Sequence, residues 1–459
     1  MDMATKRRPS LQLVGNPFIK KRNLEWTLDT SGLIRNGDES SSDDPADQDP
    51  ELEEAPGASA VEAGKAKIED HLDYFSGLLR KATLSPYPQG IPRLSIGAYR
   101  RLYEENSGNP KGAHFIVHQH DHPIAGTHYD LRLQINETSS ASWAIMYGLP
   151  GDPNSQRLNR NATETRIHCL WNHLIETASH STGSLLIWDT GTYTVLPSRG
   201  RSNQSNPYSS SSSEDEAEPE LTERQKLHRA FQARKIRIRL NGTRLPHNYV
   251  LNLRLTKDED AVGRAKGARA PARRRGRGGS VRDRGAARGK GKGKAKAAAP
   301  ETSSDSDSDV RENTLNDESE IVQAPPAEDG EGISQMEREI RELEDEAVRR
   351  KNAYPGATNS IGSVHQRRWY LSLDREACGF VKKRRVGRGA WELNRSKSDG
   401  QYRGEEEGGD EGNRLTFPFY VHGAPVERSV VTGRTGAEVL KDEGVEDFVG
   451  RKGWHPVLN

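Results

Sequence analysis

Apolar and polar residues alternate strictly in the middle of the chain. An apolar run at Phe115–Val117 precedes a turn at residues 123–126, and a second run follows that turn. In the second run, polar and apolar side chains alternate at the successive positions His128, Tyr129, Asp130, Leu131, Arg132 and Leu133. Because successive side chains of a strand point to opposite faces, this pattern predicts a hairpin with one apolar and one polar face.

Other segments also favour a mainly β fold. Apolar or alternating runs predict further strands at residues 141–146, 184–194, 235–240, 249–255, 368–381, 415–422 and 429–432. Helical spacing of apolar residues predicts short helices at residues 68–79, 223–231, 332–351 and 437–443. Residues 84–110 are rich in proline, serine and glycine and are expected to wrap the edge of the domain.

Composition limits how much of the chain can fold. Only 32% of the residues are hydrophobic and 29% are charged, so one compact domain of roughly 150 to 200 residues is expected. We expect residues 85–256 to form it, interrupted by an acidic, serine-rich insertion at 197–220. Residues 1–84 are expected to be mostly disordered, and 257–331 to be a basic and then acidic linker. Residues 365–459 are expected either to add strands or to form a small appended domain.

Charge is uneven along the chain, although the net charge is only +1. Residues 258–300 are dense in arginine, lysine and glycine, which is typical of tails that bind nucleic acid through its phosphates. Short basic clusters at residues 6–8 and 20–22 add to an expected nuclear localisation. The two cysteines, Cys169 and Cys378, have no metal-ligand spacing and fit a reducing compartment. No apolar run approaches the length of a membrane span, and no secretory signal is visible.

The polar face of the predicted hairpin is the strongest candidate for chemistry. Two imidazoles and a carboxylate at a hairpin mouth suit a transition metal, and an arginine beside them suits a phosphate. The alternative is an ordinary polar strand face. Arg166 is a further candidate for binding phosphate, against the alternative of an exposed arginine on a strand.

Four runs of residues resemble the 3′-phosphoesterase domain of bacterial DNA ligase D. They are HQHD and HYDLRL in the hairpin, then SWAIMYGLP and GSLLIWDTGTY. The resemblance covers residues 112–196, with a weaker match at 235–255. It implies a six-to-eight-stranded closed or nearly closed β-barrel with its site in the barrel mouth, long disordered insertions and tails, and metal-dependent hydrolysis of 3′-phosphate or 3′-ribonucleotide ends in DNA repair.

The resemblance also implies roles for individual residues. His120, His128 and Asp130 would hold Mn²⁺ or another divalent transition metal. Arg132 and His173 would act on the phosphate in catalysis, with His168 as the second choice for the latter. Arg132, His118 and Arg166 would bind the substrate, which is a DNA or DNA–RNA 3′ end.

The chain departs from the family pattern at three places. His120 and His128 are eight residues apart where the family has six, so His122 is a rival first ligand. His118 stands where the family has glutamine, and Thr177 stands where it has tyrosine. These losses leave open a binding module that has lost catalysis, or a scaffold for repair partners. A DNA ligase or polymerase is the expected partner of the active enzyme.

Overall fold

A computed structural model describes residues 57–62, 66–198, 221–268, 346–383, 389–394 and 413–458. The disorder expected for residues 1–56, for residues 199–220 of the insertion predicted at 197–220, and for residues 269–331 concerns parts of the chain outside these ranges. The same holds for residues 332–345 of the predicted helix. Within the described ranges, no helix is both long enough and apolar enough to span a membrane.

Most of the strands predicted from the alternation are present in the structure. Their bounds are β1 His114–His122, β2 Gly126–Gln134, β3 Ser139–Ile145, β4 Asn159–Glu164, β5 His168–Cys169, β6 Thr177–Ser179, β7 Gly183–Val195, β8 Lys235–Gly242, β9 Val250–Arg254, β10 Arg368–Leu373, β11 Phe380–Lys383 and β12 Ala390–Leu393. The helices are α1 Ala58–Glu62, α2 His71–Ala82, α3 Ile96–Asn106, α4 Glu223–Gln232, α5 Lys257–Ala268, α6 Glu346–Lys351 and α7 Gly436–Asp442. A 3₁₀ helix occupies Leu170–Leu174.

Side-chain caps define where several of these helices begin. Asp70 accepts a hydrogen bond from the Asp73 amide at the start of α2, and Ser95 accepts one from Ala98 at the start of α3. Thr222 forms a full capping box with Gln225 in α4. Each cap satisfies backbone donors that the first helical turn leaves without partners.

The strands close into an antiparallel barrel. The order around it is β1-β2-β3-β4-β10-β9-β8-β7, and pairing of β7 with β1 completes the ring of eight. This confirms the predicted mainly β, closed barrel. The barrel strand that comes last in the sequence, β10, belongs to the C-terminal segment and lies between β4 and β9. At least this part of residues 365–459 therefore adds a strand to the barrel.

The barrel wall has an apolar core on each side. The interior is filled by large side chains, including Phe115, Leu131, Trp143, Trp188 and Trp369. On the outer side, Ile116 and Ile187 pack against residues of α2 and α3 such as Phe75 and Tyr99. The strands in this region are therefore buried on both faces, which leaves polar outer residues enclosed beneath the helices.

A buried ion pair attaches β10 to the rest of the barrel. The Arg367 guanidinium contacts Glu164 at the end of β4, with Nε to Oε2 at 2.5 Å and Nη2 to Oε1 at 3.0 Å. The indole Nε1 of Trp369 donates to the same Glu164 carboxylate at 3.0 Å. Arg367 also binds Asp260 of α5 at 2.7 Å. These contacts join three segments that are distant in sequence.

Several predicted boundaries need correction. Residues 415–422 and 429–432 are not strands, because their amides bond to loops and neighbouring segments at isolated points, such as Phe419 N to Gly151 O at 3.2 Å. Within residues 84–110, which were expected to wrap the domain edge, residues 96–106 form helix α3, for which no helix was predicted. Residues 257–268 form helix α5 and not the start of a linker, since Thr256 accepts from the Glu259 amide and Asp260 binds Arg367. The folded part also begins before residue 85, because α1 and α2 cover the barrel wall.

Candidate metal and phosphate site

The register of the first hairpin brings the predicted site residues together. His118 pairs with Asp130, and His120 pairs with His128, so these four side chains share one face of the sheet. Arg132 lies on the same face, two residues beyond Asp130. That face is the outer one, because the alternating residues fill the interior. The expectation of a site in the barrel mouth is therefore wrong: the interior is packed with apolar side chains, and the polar face points outward.

Three potential ligand atoms converge on this face. His120 Nδ1 lies 3.6 Å from Asp130 Oδ2, and His128 Nε2 lies 3.5 Å from Asp130 Oδ1. The ligand atoms of the three residues all lie within 4.8 Å of one another. Two imidazoles and one carboxylate leave coordination positions open to water or substrate, as catalytic metal sites require.

Backbone carbonyls orient both imidazoles. His120 Nε2 lies 2.8 Å from Thr182 O, and His128 Nδ1 lies 2.8 Å from Gly126 O. A carbonyl only accepts, so each of these nitrogens carries a hydrogen, and in the neutral ring the opposite nitrogen, which faces Asp130, keeps the lone pair that can bind a metal. This is the arrangement by which outer groups fix the tautomer of a metal-binding histidine.

The same reasoning separates His120 from its rival. His122 Nδ1 accepts hydrogen bonds from the amides of Ile124 and Ala125, both at 3.1 Å. Its lone pair is therefore used in the turn, and in the neutral ring the other nitrogen carries the hydrogen. His122 caps the turn of the hairpin, and the geometry favours His120 as the first ligand.

Charges within the cluster support an ionised carboxylate. Burial by itself raises the pKa of Asp130, but the nearby His128, His120 and Arg132 outweigh it and lower that pKa well below its usual range. Arg132 Nη2 lies 3.6 Å from Asp130 Oδ2. Burial lowers the pKa of His128, which keeps its imidazole neutral and able to bind a metal. Burial also acts to lower the pKa of His120, but the hydrogen bond and charge of Asp130 outweigh it and raise that pKa, so a metal ion at His120 Nδ1 would displace a proton.

His118 has an orientation that the sequence does not reveal. Its Nε2 lies 3.2 Å from the carbonyl of Ile175, so that nitrogen donates and Nδ1 is left as an acceptor without a partner. The ring is fully buried, and burial lowers its pKa well below the usual value. In the neutral state His118 can therefore accept a hydrogen from water or a hydroxyl group, but cannot donate to a phosphate oxygen through Nδ1.

His173 forms a buried pair with His114. Their Nδ1 atoms are 2.7 Å apart, and neither ring is exposed. The Thr190 hydroxyl donates its single hydrogen to Phe115 O at 2.9 Å. Thr190 Oγ1 must therefore accept in its contact with His114 Nε2, which is 3.4 Å away, and His114 Nε2 is the donor. His114 Nδ1 is then an acceptor, and His173 Nδ1 donates to it. The Nε2 of His173 is left without a partner.

Buried polar atoms without partners accumulate around this site. Among the described residues, they include Asp130 Oδ1, Arg132 Nε, His118 Nδ1, His173 Nε2, Ser140 Oγ, Ser142 Oγ and Thr177 Oγ1. A buried polar atom that lacks a partner costs free energy, and such atoms occur in clusters mainly where a ligand or water satisfies them. The donor set and these atoms together fit a metal ion with a bound oxyanion.

Two further residues lie near the site, and only His168 was among the predicted candidates. Glu62 of α1 is close enough for its pKa to respond to His120, Arg132 and Asp130, although burial raises that pKa overall. No local pattern around Glu62 marks it, since it reaches the site only because α1 packs on the barrel wall. His168 is the second choice for the phosphate-binding histidine. Burial keeps its pKa well below the usual value, and the charges of Arg132 and Asp130 also influence that pKa.

Arg166 is placed differently from the other candidates. Its side chain is buried, and Nη1 donates to Asn352 Oδ1 at 2.9 Å. That contact ties the segment just before β5 to the C-terminal segment. Thr177, in the position of the family tyrosine, lies on β6 with its hydroxyl buried and without a partner.

Comparison with known families agrees with the sequence resemblance. Residues 118–253 match the family model described as the DNA Ligase D 3′-phosphoesterase domain. The match contains the hairpin ligands, Arg132 and His173, but stops before α5, α6 and β10. A search of curated proteins gave no match.

Proposed function

We propose that this chain is a metal-dependent phosphoesterase that processes DNA or DNA–RNA 3′ ends during repair. The match of residues 118–253 to a 3′-phosphoesterase family supports the reaction class. Removal of a 3′-phosphate or of a terminal ribonucleotide would leave a 3′-hydroxyl. Such an end is the substrate of a polymerase or ligase, which are therefore the expected partners in the repair reaction.

His120, His128 and Asp130 would hold the divalent cation. Imidazole and carboxylate donors together suit manganese, iron or zinc, and we propose manganese. When bound, such an ion polarises a phosphoryl oxygen and lowers the pKa of a bound water. The protein contributes the orientation of the donors, because Thr182 O and Gly126 O hold the two imidazoles with His120 Nδ1 and His128 Nε2 toward Asp130.

Arg132 and His173 would act on the phosphate itself. The Arg132 guanidinium is buried beside the ligand cluster and would bind phosphoryl oxygens as their charge grows. Burial lowers the pKa of His173 well below its usual value, so the free protein holds it neutral. An anionic phosphate would favour its protonated form, in which Nδ1 donates to His114 and Nε2 donates to the phosphate.

His118 would orient a water or hydroxyl group through its acceptor Nδ1. The glutamine of the family offers an amide at this position, whereas His118 offers a fixed lone pair. The observation that carries the proposal is the convergence of three ligand atoms with buried, unpartnered polar atoms of Arg132, His118 and His173.

The direct test is manganese-dependent release of phosphate from a DNA primer with a 3′-phosphate. We expect His128→Ala to lower the rate by at least about 100-fold, since even outer partners of metal ligands commonly matter 10- to 100-fold. His228→Ala removes an exposed histidine of α4 and serves as the matched control with unchanged rate. A primer with a 5′-phosphate tests the end preference. Equal rates for His128→Ala and wild type would contradict the proposal.

The alternative function is a nucleic-acid-binding module. It is favoured by Thr177, because this position lacks the phenol of the family, and by the acceptor orientation of His118. DNA binding without turnover in the same assay would support this module. A repair scaffold would instead bind a protein partner in a salt-insensitive manner after removal of residues 269–300.

We also propose that the basic segment at 258–300 increases affinity for nucleic acid and directs the chain to the nucleus. Deleting residues 269–300 should reduce the slope of DNA affinity against salt concentration, because fewer counterions are released. A fluorescent fusion of the deletion variant should lose nuclear enrichment. An unchanged salt slope would contradict the DNA-binding role.

A further inference from the structure

The outer face that carries the site continues beyond Arg132. On that face Gln134 of β2 is opposite Ser140 of β3, and Ser140 is opposite His168 of β5. Residues directly opposite in a sheet point to the same side, so His168 shares the face of the ligand cluster. His168 lies in line with Gln134 and Ser140, beside the line formed by Arg132 and Ser142. It is two strands away from β2, and neighbouring strands are about 4.8 Å apart.

An aromatic ring from the C-terminal segment covers part of His168. The ring of Tyr354 lies 4.8 Å from the His168 ring, centroid to centroid, with 52° between the planes. Tyr354 is nevertheless 38% exposed, so one part of this aromatic pair faces solvent. His168 itself is half-buried. Burial lowers its pKa well below the usual value, so the ring is neutral and offers an aromatic face for stacking.

The backbone around Tyr354 is held firmly against β5. Tyr354 N donates to Ile167 O, and Ile167 N donates to Asn352 O, both at 3.0 Å. Asn352 has a φ of 51°, a conformation that asparagine tolerates better than most residues, and Arg166 fixes its side chain at 2.9 Å. Cys169 Sγ donates to Pro355 O at 3.3 Å. The ring position is therefore organised before any ligand binds.

We propose that His168 and Tyr354 form a stacking ledge for the base of the 3′-terminal nucleotide. The inference rests on the proposed function, because it assumes that the phosphate of that nucleotide lies near Arg132. Bases stack on aromatic side chains whatever their identity, so the ledge would recognise a nucleoside without reading sequence. Tyr354 lies outside the family match at 118–253, which makes this subsite a feature of the C-terminal segment.

Kinetics with two matched substrates test the ledge. One primer carries a 3′-phosphate on an ordinary nucleotide, and the other carries it on a tetrahydrofuran residue that lacks a base. We expect Tyr354→Ala to raise KM about tenfold for the first primer, as base–aromatic stacking commonly gives, and to leave the second unchanged. Tyr354→Phe keeps the ring and should behave as wild type.

The chain offers a matched control in Tyr370, which is 37% exposed on β10. Tyr370→Ala removes an equally exposed ring from the same C-terminal segment and should leave both KM values unchanged. Thermal unfolding of all variants checks that they fold alike. Equal rises of KM for both primers in Tyr354→Ala, or equal KM values of the wild type for both, would overturn the ledge.

A binding measurement separates failure of the ledge from failure of the proposed function. A primer with 2-aminopurine as its 3′-terminal base reports stacking by quenched fluorescence and needs no turnover. Quenching by the wild type and by Tyr354→Phe, but not by Tyr354→Ala, supports the ledge even if no phosphate is released. Equal quenching by the wild type and Tyr354→Ala overturns it, whereas missing phosphate release by itself overturns only the phosphoesterase activity.

Discussion

The Nδ1 atoms of His114 and His173 lie 2.7 Å apart, and neither ring is exposed to solvent. One hydrogen is shared between them, and Thr190 fixes its direction through His114 Nε2. His114 is therefore a positioning residue: it accepts from His173 and leaves the other nitrogen of His173 facing the site. It stands one residue before the apolar run of β1 and carries no recognisable motif.

Loss of this acceptor should affect turnover more than binding. We expect His114→Phe to lower kcat at least about tenfold, because a correctly placed acid or base contributes about 10²–10⁴-fold in many enzymes. His114→Gln can still accept the hydrogen bond and should retain more of the rate. Steady-state kinetics and a pH profile check this, with manganese content as the control. A variant with an altered metal content, or with KM alone changed, would contradict the role.

The buried His114 should also make the fold sensitive to acid. Burial lowers the pKa of His114 to about 3, so the folded protein does not protonate it at mildly acidic pH, whereas the unfolded chain does. Protonation of His114 therefore favours the unfolded chain. The free energy of unfolding is unaffected by this group above the unfolded pKa of about 6.5, and it decreases by about 1.4 kcal/mol per pH unit as the pH falls from there toward 3.

Urea unfolding between pH 6 and pH 4 measures this effect. The free energy of unfolding of the wild type should fall more steeply with acidification than that of His114→Phe, by about 1.4 kcal/mol per pH unit. The difference between the two free energies of unfolding at pH 6 measures the effect of the substitution on packing and is subtracted from the difference at pH 4. Parallel slopes for the two proteins would show that His114 is not the group that titrates.

Removal of the two rival histidines should affect metal binding differently. His120→Ala removes the ring nitrogen that faces Asp130, and we expect manganese affinity to fall by at least about 10- to 100-fold. His122→Ala removes a cap of the turn and should change that affinity less than about threefold, within the usual context dependence of such contacts. Titration followed by electron paramagnetic resonance of free Mn²⁺ measures both. The reverse order would assign the ligand to His122.

The ion pair that attaches β10 should be important for stability. Arg367→Ala would leave the buried Glu164 carboxylate with Trp369 and Ser363 as donors but without its charged partner. Breaking a buried pair in this way commonly costs about 3–5 kcal/mol. Urea unfolding should show such a loss, and Glu164→Gln combined with Arg367→Met should recover part of it. A loss below about 1 kcal/mol, the value of an exposed ion pair, would contradict the structure.

Much of the site follows from local sequence. Alternation over residues 128–133 places His128, Asp130 and Arg132 on one face, and the turn before Gly126 returns the chain so that His120 lies opposite His128. These positions depend only on the period of a strand and on pairing between neighbours in sequence. Most of the predicted strands form for the same reason, although residues 415–422 and 429–432 do not, and the ligand cluster follows once the hairpin forms. The closed barrel was implied by the resemblance to the phosphoesterase family.

The other parts of the site depend on contacts between distant segments. His114 meets His173 across 59 residues, and His168 meets Tyr354 across nearly 200. Alternation cannot indicate which of two faces is interior, so the site was expected in the barrel mouth. The packing of Trp143, Trp188 and Trp369 decides that question, because together they fill the space inside the wall.

The sequence by itself determined the hairpin, its polar face and the ligand types, since these depend on side-chain period and on chemistry carried by adjacent residues. Only the tertiary structure decided that β10 lies between β4 and β9, that α1 brings Glu62 to the site and that His122 caps a turn. Strand order and helix docking result from how apolar surfaces are buried across the whole domain. That global choice leaves no periodic signal in any single segment.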